Sequence, residues 1–173
     1  MTNFIYRSAF ILATLALGGV ALLFGQSKSK DASMPKFTEL SRKDSEQLDQ
    51  QRALIAATAK RRYGTVALTK TKADLPVLQK LVDERVFSKS QTYELQCLGV
   101  AFGDVLASEL PMRWVMVTDE YGTDPTLRYK HTTINVNALT MISKRVERGE
   151  AVNLSELLRV MRDQVSQVEK KIR

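Results

Sequence analysis

The sequence predicts an α+β domain: a three-stranded antiparallel β-meander packed with helices, with a helical N-terminal half and an amphipathic C-terminal helix. Three observations carry that expectation. Apolar residues recur at helical spacing from Leu48 to Leu106, the pattern switches to period two between Arg113 and Val136, and helical spacing returns from Ala138 onward. The chain has 173 residues, one domain's worth once a leader is set aside. Such a length buries roughly two thirds of its unfolded surface, so no disulfide or metal is needed to hold it.

Residues 1–25 read as a signal peptide or a membrane anchor. Met1–Arg7 is short and carries the terminal amine and Arg7, and Ser8–Phe24 then runs 17 residues without a charge, interrupted only by Thr14 and the Gly18-Gly19 pair. A helix of a small soluble domain shows a polar stripe, and this run shows none. Its length lies between a signal-peptide core and a membrane span. Gly19-Val20-Ala21 and Gly25-Gln26-Ser27 are small-x-small sites open to cleavage, and no cysteine follows the run to be lipidated. An uncleaved anchor is preferred over a cleaved signal. Lys28, Lys30, Lys36, Arg42 and Lys43 follow the run, which by the Lys/Arg count would hold the domain in the cytoplasm. A short basic start before an apolar core, however, exports the domain behind it, and export is the preferred reading.

Residues 26–38 read as a polar tether, Ser/Lys-rich and proline-terminated over Gln26–Pro35, and 39–173 as one domain. A first helix starts with Ser41 or Ser45 as N-cap, runs through Leu48, Arg52, Ile55 and Ala59 to Arg62, and stops at Gly64. Its Lys60-Arg61-Arg62 end suits the negative pole of a helix. Asp74 caps a short helix with Leu75, Leu78, Leu81 and Val82 on one side and Pro76 in the first turn. Ser88 or Ser90 caps the next, whose stripe is Leu95, Leu98, Phe102, Val105 and Leu106, with Pro111 ending it. Gly99, Gly103 and Ala107 form a small-residue row on that helix, suited to tight packing on a sheet. Cys97 lies in the same helix, where a small buried apolar role is expected.

Arg113–Thr118 is the best strand. Asp119–Pro125 is dense in turn formers, and Leu127–Tyr129 and Thr132–Val136 complete the meander. From Ala138 the helical pattern places Leu139, Ile142 and Val146 together, closed by Gly149. In the last helix, Val152, Asn153, Glu156 and Leu157 occupy the N′, N-cap, N3 and N4 places of a capping box with a hydrophobic staple. Leu154, Leu158, Met161, Val165, Val168 and Ile172 then form an a/d seam. Docking of this helix on its own domain is preferred, with a partner or dimer helix as the alternative.

The runs Leu98-Gly99-Val100-Ala101-Phe102-Gly103-Asp104, Trp114-Val115-Met116-Val117-x-Asp119-Glu120-x-Gly122, Leu127-Arg128 and Ile142-Ser143-Lys144-Arg145-Val146-Glu147 occur in this order. Together they resemble the bacterial domain-of-unknown-function family numbered 3806, over roughly residues 50–168. The resemblance implies a bacterial source and a compact α+β domain. It implies no activity and no catalytic residue.

The residues themselves offer little chemistry. His131 is the only imidazole, so neither a histidine-based metal cluster nor a Cys/His dyad is available. An exposed loop place is expected for it. No phosphate-cradling GxxxxGK[ST] loop, GxGxxG turn or GxSxG elbow occurs, and no cofactor, metal or catalytic residue is expected. The remaining candidate is the polar group Asp119, Glu120 and Asp124, with Arg128 on the facing strand and Arg145 on the following helix. Two close carboxylates beside an arginine suit acid–base work or a divalent cation. The plainer reading is preferred: Asp119 and Asp124 shape a turn while Arg128 makes a cross-strand ion pair. Tyr121, at a loop tip between acids, points instead to a contact surface. The candidate partner-binding set is therefore Asp119, Glu120, Tyr121, Asp124, Arg128 and Arg145.

The net charge of +7 is unevenly placed: residues 28–72 carry +6, 73–136 carry −3 and 137–173 carry +3. No basic residues interleaved with exposed aromatics are visible, which argues against nucleic acid as a partner. The expected function is a non-enzymatic, membrane-associated or exported binding module of the bacterial cell envelope, an accessory subunit or immunity-type protein. It would touch the membrane through Ser8–Phe24, with a single span in the inner membrane and the domain in the periplasm. A cleaved periplasmic form and an anchor facing the cytoplasm are the alternatives. Two other functions stay open: a carboxylate-based metal-dependent hydrolase at the 119–124 hairpin, and a basic membrane-surface or nucleic-acid binder through residues 28–72.

Overall fold

A computed structural model describes residues 34–64 and 67–172. In chain order the described elements are β1 (Lys36–Thr38), α1 (Arg42–Tyr63), α2 (Leu75–Asp83), α3 (Thr92–Glu109), β2 (Met112–Asp119), β3 (Gly122–Tyr129), β4 (Asn135–Val136), α4 (Ala138–Glu147) and α5 (Leu154–Ile172). The fold is α+β with one antiparallel sheet, in the order β1-β2-β3-β4. That is one strand more than the expected three. The addition is Lys36-Phe37-Thr38, in the stretch read as tether, which pairs with β2 through Lys36 opposite Thr118 and Thr38 opposite Met116. Three residues are too few to display a period, and long-range pairing rather than local propensity makes them a strand. The apolar run Ser8–Phe24 and residues 26–33 of the tether lie outside the described residues. Among the described residues no helix is long and apolar enough to cross a membrane.

The helix ends follow from where donors need partners. Ser41 caps α1: its hydroxyl accepts from the Asp44 N–H at 3.2 Å, and the Asp44 carboxylate accepts from the Ser41 N–H at 2.9 Å. Gly64, at φ +90°, ends the helix and donates to the Lys60 carbonyl. Asp74 behaves differently from the expected cap. It precedes α2 but makes no capping bond. Its buried carboxylate accepts from the N–H groups of Thr69 and Lys70, each at 2.8 Å, and from the Thr69 hydroxyl at 2.9 Å. Those loop donors face a carboxylate with room for several bonds, whereas Pro76 leaves the helix start with one fewer N–H to satisfy. Ser88 and Ser90 do not cap α3 either. Their hydroxyls meet at 2.9 Å, the Gln91 side chain accepts from the Ser88 N–H, and Gln91 takes the cap position.

α3 is the axis of the domain. Leu95 and every residue from Cys97 to Leu106 are buried, so it is enclosed on all sides rather than along one stripe. Burial pushes the Cys97 thiol up to about 11, in keeping with the expected apolar role. The glycine row does more than pack against a sheet. A β-carbon on Gly99 would run into the Leu139 carbonyl and lie 2.5 Å from that of Ala138, at the start of α4. One on Gly103 would lie 2.5 Å from the Trp114 ring of β2 and 2.9 Å from the Ala138 β-carbon.

The sheet also differs from expectation at its turns. The Asp119–Pro125 stretch is a turn only at Glu120-Tyr121, since β3 begins at Gly122, which at φ +138° accepts a backbone closed to most side chains. Pro125 is tolerated within β3 because β4 reaches only Leu127 and Arg128, leaving no strand beside Pro125 that needs its missing N–H. The strand expected at Thr132–Val136 shrinks to Asn135–Val136. Thr132 donates its hydroxyl to the Tyr129 carbonyl at 2.8 Å and accepts from the Ile134 N–H, which holds 132–134 in a turn. His131 is exposed in that turn.

α5 docks on its own domain. Asn153 caps it by accepting from the Glu156 N–H at 2.9 Å, although the Glu156 carboxylate binds Arg159 rather than closing the box. Leu154, Leu158 and Val165 of the seam are buried in the core. Gln79 of α2 fixes the start of the helix, donating to the Val152 carbonyl at 2.9 Å and accepting from the Leu154 N–H at 2.8 Å. Near its end, Glu169 accepts from the Tyr129 hydroxyl at 2.7 Å.

Backbone carbonyls cannot give way at Gly99 as a flexible side chain can. Gly99→Ala is expected to cost about 1–3 kcal/mol, whereas an exposed change such as Arg61→Ala should stay within about 0.5 kcal/mol. Urea denaturation of the two variants checks this.

Candidate functional site

β2 and β3 meet in a two-residue turn, Glu120-Tyr121, between Asp119 and its register partner Gly122. The Asp119 carboxylate accepts from the Tyr121 N–H at 2.8 Å, and the Thr118 and Thr123 hydroxyls meet across the strands at 2.9 Å. These bonds fix the tip, and Tyr121 projects from it 53% exposed. The alternation of strand side chains places Val117, Asp119, Asp124 and Thr126 on one face of the sheet. The core residues Trp114, Leu127 and Tyr129 occupy the other. A slot of about 50 Å³ opens between Asp119, Tyr121 and Asp124 on the hairpin and Asn135 and Asn137 beyond it.

The electrostatics of this tip are one-sided. Among the described residues no Lys or Arg lies within ion-pair distance of Asp119, Glu120 or Asp124. Partial burial, and then the neighbouring Asp119 charge, raise the pKa of Asp124 above the ordinary carboxylate value. The neighbouring Glu120 carboxylate raises that of the Tyr121 phenol. Among the described residues no three His, Cys, Asp or Glu gather closely enough to hold a metal ion.

Of the six candidate residues, the structure brings four together and separates two. Register puts Arg128 opposite Arg113, four positions along β3 from Asp124, so the expected cross-strand pair does not form. Its guanidinium donates to the carbonyls of Thr132 at 2.6 Å and His131 at 3.0 Å and lies 4.3 Å over the Phe37 ring. Arg145, in the last turn of α4, donates to the Met141 carbonyl at 2.6 Å. The candidate set that the structure keeps together is therefore Asp119, Glu120, Tyr121 and Asp124.

Sequence reasoning missed a second polar cluster. Asp104, in the middle of α3, is 7% exposed and takes Arg52 of α1 in a fork, Nε to one oxygen at 2.7 Å and Nη2 to the other at 2.8 Å. The Trp114 indole N–H of β2 adds a third bond at 2.9 Å. A groove of about 280 Å³ lies beside the pair, floored by Ala53, Ala56 and Ala101 and edged by Leu68 and Lys70. Two signals were available. Asp104 is the one charge in the apolar run Leu98–Leu106, and Arg52 falls on the inward stripe with Leu48 and Ile55. A buried charge demands a partner, and these two demands answer each other.

Residues 74–157 match the family described as Domain of unknown function (DUF3806). No curated protein matches the chain at a significant level. Among solved structures the chain is similar to a crystal structure from Bacteroides thetaiotaomicron, with a TM-score of 0.69 and 17% identity over 78% of this chain and 49% of that one. The chain spans about half the length of that protein, and the likeness is one of fold.

Two outcomes are expected from this geometry. Asp104→Ala leaves the Arg52 guanidinium with Asp49 alone and the Trp114 indole N–H without its acceptor, and the expected loss is about 1–3 kcal/mol. The Arg52→Ala/Asp104→Ala pair should lose less than the two single changes together, which a double-mutant cycle in urea measures. At Asp124 the sign is opposite. Its folded pKa is raised, so its neutral form stabilises the fold at low pH, and that contribution is lost as pH rises through the folded value. Asp124→Asn is therefore expected to raise the melting temperature at pH 7, by about 1–2 °C. The gain should vanish below the unfolded carboxylate value near 3.8. Calorimetry between pH 3 and 8 reads both.

Proposed function

We propose, for a chain that belongs over residues 74–157 to the DUF3806 family of unknown function, a non-enzymatic binding module of the bacterial cell envelope that takes a cationic protein partner on its Asp119–Asp124 hairpin. The observation carrying this reading is the tip itself: three carboxylates without a cation of their own beside an exposed tyrosine, on a turn fixed by internal bonds. Tyrosine supplies contact area at low entropic cost, and unpaired carboxylates favour a partner of opposite charge. An accessory subunit or an immunity-type protein fits this description. Ser8–Phe24 gives the proposed address, a single inner-membrane span with the domain in the periplasm. The basic Lys60-Arg61-Arg62 end of α1 has a sufficient role in offsetting the helix dipole, so the hairpin is the better interaction surface.

Pull-down from solubilised membranes compares the intact chain with Asp119→Lys/Glu120→Lys/Asp124→Lys. The variant is expected to recover the partner at least about tenfold less well, equivalent to ~1.4 kcal/mol. Added salt should weaken the intact complex as well. Equal recovery by both chains would remove the hairpin from the reading.

A further inference from the structure

The groove beside Arg52 and Asp104 lies between α1, α3 and the loop that leads into α2, and its lining is largely apolar. Ala53, Ala56 and Ala101 make room for it because each side chain ends at a methyl group. At about 280 Å³ it stands at the small end of the range for small-molecule sites and is too small for a peptide segment. The carboxylates on its walls are already filled, Asp104 by Arg52 and Trp114, and Asp74 by Thr69 and Lys70. The donors are not. Arg52 uses three of a guanidinium's five N–H groups on Asp104 and Asp49 and keeps two. Lys70 makes no ion pair among the described residues. Its backbone stands at φ +60°, a strained place for a lysine. The Asp74 carboxylate secures it by accepting the Lys70 N–H at 2.8 Å, which keeps this residue at the groove's edge. Residues 50–73 carry six Lys or Arg and no Asp or Glu, so the surrounding field attracts anions.

We infer that the groove binds a small free carboxylate, its compact apolar body resting on the alanines and its oxygens taking Lys70 and the remaining N–H groups of Arg52. Side-chain donors without matching acceptors select an anion or a carbonyl, and the lysine charge favours the anion. The floor decides between anions. Inorganic phosphate would leave the apolar surface bare and bring a second negative charge toward Asp74 and Asp104. A monocarboxylate covers the floor with carbon instead. The groove shares no residue with the hairpin slot, so this ligand is independent of the partner proposed there.

Methyl NMR of the full chain, labelled at alanine and held in detergent, tests this with benzoate as the probe. A ligand of roughly nine heavy atoms is expected to bind with a Kd below about 10 mM, read as saturable shifts of the Ala53, Ala56 and Ala101 methyls. Benzamide, the neutral isostere, and inorganic phosphate should each bind at least about fivefold less tightly. Lys70→Ala keeps the N–H that Asp74 accepts and should weaken benzoate by at least about fivefold. Lys89→Ala, on the loop before α3, should stay within about twofold. Ala56→Leu fills the groove and should abolish the shifts. No saturable shift with benzoate up to about 50 mM would overturn the inference. So would equal binding of benzamide or phosphate, an unchanged affinity in Lys70→Ala, or shifts confined to other alanines.

Discussion

Asp104 is a carboxylate enclosed in the middle of an apolar helix, and its demand for donors sets how the rest of the domain is arranged. Its oxygens are filled by a guanidinium fork from α1 and an indole N–H from β2, so a single residue of α3 fixes the placement of two neighbours. A buried ion pair contributes little net stability, but any arrangement that withdraws the donors leaves a charge in a low-dielectric interior. The adjacent Gly103 makes the same contact possible sterically, because a β-carbon there would occupy the space of the Trp114 ring. With Trp114 held against α3, the alternation of the strand turns Val117 and Asp119 to the opposite face of the sheet.

What the sequence revealed depends on how far apart the cooperating residues lie. Helices announced themselves through local periodicity, and Ser41, Gly64 and Asn153 mark their ends with bonds spanning three or four residues. Asp74 misled because an aspartate before Leu75-Pro76 has the form of a cap, while the donors that captured it belong to a loop whose path is set by tertiary structure. β1 was hidden for a related reason: Lys36-Phe37-Thr38 is a strand only because Met116–Thr118 lies beside it.

The candidate site divides along the same line. Asp119, Glu120, Tyr121 and Asp124 are near neighbours in sequence, and a hairpin keeps neighbours together. Arg128 and Arg145 were joined to them by charge alone. Register decides such pairings: a residue's cross-strand partner is fixed for the whole hairpin once Asp119 stands opposite Gly122. Arg128 then falls beside Phe37 and the 131–132 carbonyls, where it braces the turn after β3. The Arg52–Asp104 pair shows the reverse. Fifty-two positions separate its members, yet each is conspicuous as a charge on an apolar stripe, and two such misfits in one small domain are best read as one contact.

The sheet's edges bear on how a partner can be recognised. An open edge invites strand addition, in which backbone groups supply affinity with little regard to sequence. Here β1 offers only three residues at one edge and β4 only two at the other. Beyond β4, the exposed flank of β3 carries Pro125, which has no N–H to donate. Both edges are poor templates for strand addition, so the proposed recognition is assigned to side chains. The hairpin tip holds an exposed aromatic ring and carboxylates whose charge is not neutralised from within. Partial burial of Asp124 beside Asp119 makes that charge unfavourable in the free domain. On the proposed reading, a cation brought by a partner would relieve this cost on binding, so the feature that weakens the isolated fold is the one that would favour association.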